Sequence, residues 1–302
     1  MDWIDRVLIN NNGTIQAACD AQVPALDHGF LYGDSVYETL RTYQARPFLL
    51  GAHMDRLERS IGRIGLTCPC SRKDLEKEVL RVIGAYREQD FTSGALGEVD
   101  PGNLAVRVVI SRGIGPIGLD VTLCEDPRFL IYAFAIPDRP LGYYDEGISL
   151  VISKVRRNHP QALDPGIKSG NFLNNILAFN DAREAGVQEA VLLNAEGYVA
   201  EGTTSNIFMV SDGRLRTPIP QGILSGITRA VVLEEALAAG IETEECRFTS
   251  EELLSAEEAF ITSSVRGVVP VAAINGMTIG KPGSITRTVM ELYEARVRKE
   301  CG

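Results

Sequence analysis

The change of hydrophobic period between residues 36 and 86 limits what this chain can fold into more than any single residue does. Residues 36–43 alternate in β-branched and aromatic company, and residues 47–50 continue after Gln44-Ala45-Arg46, so the two runs read as a hairpin. Over residues 51–65 the period becomes helical, with Met54, Leu57, Ile61 and Ile64 on one face and Asp55, Arg56, Glu58 and Arg59 mostly off it. Leu75, Val79, Val82, Ile83 and Tyr86 repeat that pattern in a second helix. A Gly-rich polar stretch at 92–102 precedes β-rich runs at 104–110 and 129–135, which flank a loop at 113–119 carrying three glycines and Pro116. Farther on, strand patterns at 148–152, 189–193, 204–210, 258–262 and 268–272 are interspersed with helical patterns at 172–185, 228–239 and 286–298. Regular βαβ spacing is missing, so the expected class is α+β rather than a doubly wound sheet. Ile136-Pro137-Asp138-Arg139-Pro140-Leu141-Gly142 reads as a linker. It divides an expected small N-terminal domain, 1–135, from a larger one, 143–302, with 136–142 between them.

Composition removes several function classes. With 45% hydrophobic and 23% charged residues, the chain is too apolar to be disordered and can bury a core in each of two domains. A net charge of −10 argues against general binding to a nucleic-acid backbone, which needs a basic surface. The six cysteines are too sparse for a disulfide framework at this length and read as reduced thiols. Cys68 and Cys70, separated only by Pro69, match neither a redox CxxC nor half of a zinc site, and three histidines are few to complete one, so no metal is expected. Two acids in Met1-Asp2-Trp3-Ile4-Asp5-Arg6, and the lack of any apolar run near about 18 residues, point away from a secretory leader or a membrane span. The expectation is a cytoplasmic protein.

The familiar phosphate-loop, dinucleotide, nucleophile-elbow and zinc-helix motifs are missing. Four local contexts remain. Lys168 precedes an apolar helix in Gly166-Ile167-Lys168-Ser169-Gly170-Asn171; it is either an exposed loop lysine or one whose charge a helix amino terminus disfavours, as a Schiff-base nucleophile requires. Glu201 ends a mostly apolar strand and is either a solvated edge residue or a buried acid with a partner. Pro220-Gln221-Gly222-Ile223-Leu224-Ser225-Gly226-Ile227-Thr228-Arg229 feeds a helix and is either an anion site or an ordinary start capped by Ser225. Thr262-Ser263-Ser264 supplies hydroxyl donors for a phosphate, or simply ends a strand.

Taken in order, these segments resemble the class IV aminotransferases, the pyridoxal-phosphate proteins of fold type IV. The resemblance covers nearly the whole chain. It is carried by Leu26-Asp27-His28-Gly29-Phe30-Leu31-Tyr32-Gly33-Asp34-Ser35-Val36-Tyr37-Glu38-Thr39-Leu40-Arg41, His53-Met54-Asp55-Arg56-Leu57, Lys168-Ser169-Gly170-Asn171-Phe172-Leu173-Asn174-Asn175, the stretch from Glu201 to Phe208, and Leu224-Ser225-Gly226-Ile227-Thr228-Arg229. It implies a two-domain architecture, with a small N-terminal α/β domain and a larger, barrel-like mixed α/β domain. It also implies pyridoxal 5′-phosphate as cofactor, held through its aldehyde by Lys168 as an internal aldimine, with Glu201 on the pyridine nitrogen. Arg56, the backbone of Ile227 and Thr228, and Ser263 and Ser264 would hold the phosphate, with Leu224 against the ring. Tyr32, Tyr37, Arg107, Val265 and Arg266 would shape the substrate pocket of a homodimer.

Those residue types suit the chemistry. A carboxylate at the pyridine nitrogen keeps the ring an electron sink, and a lysine released by the substrate can carry the proton away from Cα. The expected reaction moves an amino group between a hydrophobic, branched-chain L-amino acid and a 2-oxo acid such as 2-oxoglutarate. Arg107 and the loop Gly113-Ile114-Gly115-Pro116-Ile117-Gly118-Leu119-Asp120 resemble the branched-chain branch; Ile117 and Leu119 stand where D-amino-acid enzymes typically carry an arginine and a histidine. Tyr37-Glu38-Thr39, Ser263-Ser264-Val265 and Phe172 depart from the branched-chain pattern. D-amino-acid transamination, aminodeoxychorismate lysis, and a cofactor binder that has lost turnover therefore stand as alternatives. Arg266 either binds a substrate carboxylate or points to solvent.

Overall fold

The computed structural model describes residues 3–89 and 100–302, so most of the Gly-rich stretch at 92–102 lies outside the described residues. The chain forms two compact units: residues 1–137, 167–171 and 299–302 make the first, and 138–166 with 172–298 make the second.

The first unit is built on an antiparallel sheet. Its elements are β1 (Val7–Asn11), β2 (Thr14–Ala17), α1 (His28–Tyr32), β3 (Ser35–Tyr43), β4 (Arg46–Pro47), α2 (Leu50–Arg63), α3 (Arg72–Arg87), β5 (Leu104–Ser111) and β6 (Arg128–Ala135). The strand order is β2-β1-β6-β5-β3-β4. Asn12 and Gly13, both at positive φ, close the β1–β2 hairpin between the paired residues Asn11 and Thr14, as a two-residue turn of the type that follows strand twist. Alternation along the strands sends Val36, Leu40, Val106, Val108, Ile110 and Ile131 to one face, where they meet Met54 and Leu57 of α2 and Leu75, Val79 and Val82 of α3. The same alternation leaves Tyr37, Thr39, Arg107 and Tyr132 on the other face, Thr39 opposite Arg107 and Arg107 opposite Tyr132.

The second unit contains β7 (Ile148–Arg156), α4 (Leu173–Ala185), β8 (Glu189–Leu193), β9 (Val199–Gly202), β10 (Asn206–Ser211), β11 (Arg214–Pro218), α5 (Ile227–Ala238), β12 (Thr243–Cys246), α6 (Ser250–Leu254), β13 (Glu258–Ser263), β14 (Gly267–Ile274), β15 (Met277–Thr278) and most of α7 (Ser284–Cys301). One mixed sheet runs β12-β11-β10-β13-β14-β7-β8-β9, with β15 on β14. It curls, bringing β9 back against β10 and β11. Ile148, Leu150, Val191, Ile207, Met209, Ile261, Val269 and Val271 fill one face. On the other face Phe208 and Phe260 stack at 4.8 Å, and α5 packs against β13.

Candidate active site

Lys168 belongs to the first unit. Residues 167–170 add to the side of β3 that β5 leaves open: the Tyr37 amide donates to Lys168 O at 2.9 Å and the Gly170 amide to Ser35 O at 2.8 Å, while Lys168's own amide donates to Ser60 Oγ of α2 at 3.2 Å. The expected placement at a helix amino terminus is not met. α4 begins only at Leu173, and a helix-end field fades beyond the first turn. Tyr37 is the neighbour instead: Lys168 Nζ lies 4.4 Å from its ring centroid and donates to its hydroxyl at 3.5 Å. The guanidinium of exposed Arg107, anchored by an Nε bond of 3.1 Å to Thr39 Oγ1, lies 4.9 Å from the centroid of that ring. The electron-rich ring thus holds two cations on the face of the sheet away from its helices.

His53, Arg56 and Ser60 recur on one buried face of α2, which turns them toward β3. Arg56 donates to buried Glu38 through Nε at 2.6 Å and Nη2 at 2.7 Å, and His53 Nδ1 meets the same carboxylate at 2.8 Å. Burial alone would raise the Glu38 pKa, but the hydrogen bonds and charge of Arg56, aided by His53, bring it down to about 2. Burial pushes the His53 pKa below its usual value, with Glu38 opposing. The group is therefore an ionised pair beside a neutral imidazole. Sequence gave neither Glu38 nor His53 a role, because their pairing crosses from strand to helix.

Tyr32 ends α1, a helix capped by Asp27, whose side chain accepts from the Gly29 amide at 2.8 Å. Its hydroxyl accepts from the Gly118 amide at 3.2 Å, and His28 Nε2 lies 3.0 Å from Pro116 O, so α1 tethers the loop at 113–119. Gly113 is obligatory there: φ is +97°, and a Cβ would collide with Asp126 O. The fixed loop displays Ile117 and Leu119, which are 77% and 86% exposed.

In the second unit Glu201 is a buried acid with a partner. It is 4% exposed, accepts from Arg157 Nε at 2.7 Å and from the Leu224 amide at 3.0 Å, and Arg157 in turn donates to Asn174 Oδ1 at 2.9 Å. Asn206 Nδ2 reaches Leu224 O at 2.9 Å and Glu201 Oε2 at 3.5 Å. Glu201 therefore fixes the Leu224 N–H and Asn206 its carbonyl, at the segment that leads into α5. Sequence reasoning missed Arg157, since nothing in a local pattern marks a partner 44 residues away, and gave Asn206, five residues from Glu201, no role of its own.

The start of α5 departs from the capped alternative. Its N-cap is Gly226, not Ser225, and no side chain caps it. A Cβ on Gly226 would overlap Asn206 Oδ1, so only glycine fits. Thr228 is buried in the first turn, beside Ile227. Thr262, paired with Asn206 across the ladder, has a buried hydroxyl without a hydrogen-bond partner among the described residues. An uncapped helix start near an orphaned hydroxyl is an arrangement that suits an anion.

Ser263, Ser264, Val265 and Arg266 form the hairpin between β13 and β14. Arg266 does not point to solvent. Its Nη2 donates to Glu189 at 2.7 Å and to Thr204 Oγ1 at 2.9 Å, and its Nε to Ser263 Oγ at 3.2 Å. Glu189, which sequence gave no reason to notice, also accepts from the Thr203 amide at 3.0 Å and the Thr203 hydroxyl.

All six cysteines are free thiols. Among the described residues no group of three or more His, Cys, Asp or Glu side chains could hold a metal ion, and no helix is long and apolar enough to cross a membrane.

Comparison with known proteins bears on what this geometry serves. The family described as "Amino-transferase class IV" matches residues 35–274. A provisionally named branched-chain-amino-acid aminotransferase of Methanocaldococcus jannaschii is 38% identical, covering 94% of each chain. The aminodeoxychorismate lyase of Bacillus subtilis is 32% identical over 96% of this chain and 95% of its own. Among solved structures, a T.th. branched-chain amino acid aminotransferase with pyridoxamine 5′-phosphate superposes with a TM-score of 0.87 at 28% identity, covering 97% of this chain and 94% of that one. The two-unit α+β architecture is accordingly that of fold type IV, and the chain belongs to the class IV aminotransferase family.

Proposed function

We propose that this aminotransferase uses pyridoxal 5′-phosphate to move an amino group between a hydrophobic, branched-chain L-amino acid and a 2-oxo acid such as 2-oxoglutarate. The observation that carries the cofactor reading is the pair of prepared sites in the second unit: buried Glu201 balanced by Arg157, and the uncapped α5 start near the orphaned Thr262 hydroxyl. A pyridine nitrogen suits the first and a phosphate dianion the second. When bound, the cofactor supplies an electron sink for the charge left at the substrate Cα.

In this reading Lys168 binds the aldehyde carbon, and its amine, once released by the substrate, carries the proton removed from Cα. Tyr37 sets the direction of that amine through its ring face. Glu201 holds a proton on the ring nitrogen, with Arg157 fixing the carboxylate. Leu224 packs on the ring, while the backbone of Ile227 and Thr228, with Ser263, Ser264 and Arg56, bind phosphate; Arg56 does so alongside its bonds to Glu38.

Substrate class follows from charge and exposure. Arg107 is an exposed guanidinium beside Tyr37, suited to a carboxylate, whereas Arg266 is already committed to Glu189. Ile117 and Leu119 offer apolar surface that suits aliphatic side chains, and Tyr32 and Val265 are assigned to the substrate in the same reading. We further propose a homodimer, in which Ile117, Leu119 and the exposed Leu173 and Ile176 of α4 become covered, and a cytoplasmic location, in keeping with the free thiols.

Purified protein given L-leucine, D-alanine or aminodeoxychorismate, with 2-oxoglutarate, tests the reading by product analysis. Formation of 4-methyl-2-oxopentanoate and glutamate from L-leucine is expected. Turnover of D-alanine alone, or release of pyruvate and 4-aminobenzoate, would overturn it.

A further inference from the structure

Glu189 and Arg266 form a buried ion pair that the amino-transfer reading leaves without a task. Glu189 is 1% exposed and the Arg266 side chain 11%. Burying two charges is costly unless each is thoroughly hydrogen-bonded, so such a pair needs an explanation other than net stability.

The bonds supply one. Glu189 begins β8 and gathers the turn at 203–205, which joins β9 to β10: the Thr203 amide at 3.0 Å, the Thr203 hydroxyl, Thr204 Oγ1 at 3.2 Å and Ser205 Oγ at 3.4 Å all donate to it. β9 carries Glu201 and β10 begins with Asn206, so this turn sits between the carboxylate and its amide neighbour. Arg266 extends the network to the hairpin at 263–266. Both its backbone amide, at 3.3 Å, and its Nε, at 3.2 Å, donate to Ser263 Oγ, and its carbonyl accepts from Tyr144 at 3.1 Å. One guanidinium therefore touches both turns. A lysine ammonium, a point charge on a flexible stem, cannot span Glu189, Thr204 and Ser263 together.

We infer that the Glu189–Arg266 pair is a positioning device that locks the 203–205 turn and the 263–266 hairpin into one rigid piece, holding Glu201, Ser264 and Val265 where the cofactor and substrate require them. Arg266 acts through Ser263 and Thr204 and is not a substrate ligand. The inference rests on the cofactor reading above. It goes beyond that reading by assigning geometry to a residue pair that touches neither cofactor nor substrate.

The test compares wild type with Arg266→Lys, Arg266→Met and the double variant Glu189→Gln/Arg266→Met. Each apo-protein is titrated with pyridoxal phosphate in equilibrium dialysis, and its melting temperature is measured without cofactor. Arg266→Met leaves a buried carboxylate unpaired and should melt early, whereas the double variant removes both charges and should regain most of that loss. Cofactor affinity is expected to behave differently: it falls about tenfold or more in the double variant and in Arg266→Lys, although both fold. Affinity that returns to the wild-type value together with melting temperature would make the pair merely structural and overturn the inference. Wild-type protein that binds no pyridoxal phosphate would overturn the cofactor reading first, a result distinct from a uniform affinity across the series.

Discussion

Arg56 and Glu38 meet in the interior of the first unit through two hydrogen bonds of 2.6 and 2.7 Å, one from Nε and one from Nη2, to the two oxygens of a single carboxylate. A bidentate fork of this kind fixes the guanidinium plane as well as its distance. Because residues 167–170 are tied to β3 and Ser60, the strand and helix that carry this pair also carry the Lys168 segment.

The pair makes stability fall in acid. The Glu38 carboxyl titrates at about 2 in the fold against 4.5 for the ordinary side chain, so its contribution is complete above about pH 4.5 and is lost as pH falls toward 2. His53 adds loss in the same direction, since a pKa held below 6.5 keeps the imidazole neutral in the fold while the unfolded chain takes up the proton. Melting temperature should decline from roughly pH 6.5 downward. Glu38→Gln should flatten the lower part of that decline while costing about 3–5 kcal/mol at neutral pH, because Arg56 is left buried without its counter-ion. A melting curve of the variant that retains the full acid dependence would assign the titration elsewhere.

Glu201 and Arg157 should separate under mutation. Glu201→Gln removes the charge assigned to the ring nitrogen and leaves Arg157 buried without its counter-ion, so it should cost about 3–5 kcal/mol of stability and, in the protein that remains folded, lower kcat by about 100-fold or more. Arg157→Met leaves Glu201 buried and unpaired, and its first effect should be on stability, about 3–5 kcal/mol by denaturant titration. Equal, small effects of both variants on kcat would contradict the assignment of Glu201 to the ring nitrogen.

Tyr37 offers Lys168 both a hydroxyl and a ring, and the distances decide which matters more. The hydroxyl contact, 3.5 Å, is at the limit of hydrogen bonding, whereas the ring centroid at 4.4 Å is well within reach of an ammonium. Tyr37→Phe should therefore reduce kcat less than about fivefold, and Tyr37→Ala, which removes the ring surface that orients the lysine, more than about tenfold. Steady-state kinetics that rank the two variants the other way would make the hydroxyl the operative group.

The core of both units was legible as periodicity. Met54, Leu57 and Ile61 on α2, and the alternation along β3, needed no tertiary information. The β1–β2 hairpin was not read from the sequence: only the Asn12-Gly13 dipeptide marks it, as Asp212-Gly213 marks β10–β11 and Asn275-Gly276 marks β14–β15. Those turns rest on two residues, and the short strands beside them carry little pattern of their own. The site divided along the same line. Lys168, Glu201 and the α5 start stand in recognisable local contexts, whereas Arg157, Glu189 and Glu38 owe their importance to partners distant in sequence. A lysine before a helix also invited the wrong physics. Its environment comes from β3 and Tyr37, contacts 131 residues away along the chain.

The central claim is that Lys168 is the residue that carries the cofactor. Protein loaded with pyridoxal phosphate, reduced with borohydride and digested, should show the phosphopyridoxyl mass on the peptide containing Lys168, and Lys168→Ala should show none while its melting temperature stays near wild type. The adduct on another lysine, or its persistence in Lys168→Ala, would contradict the account.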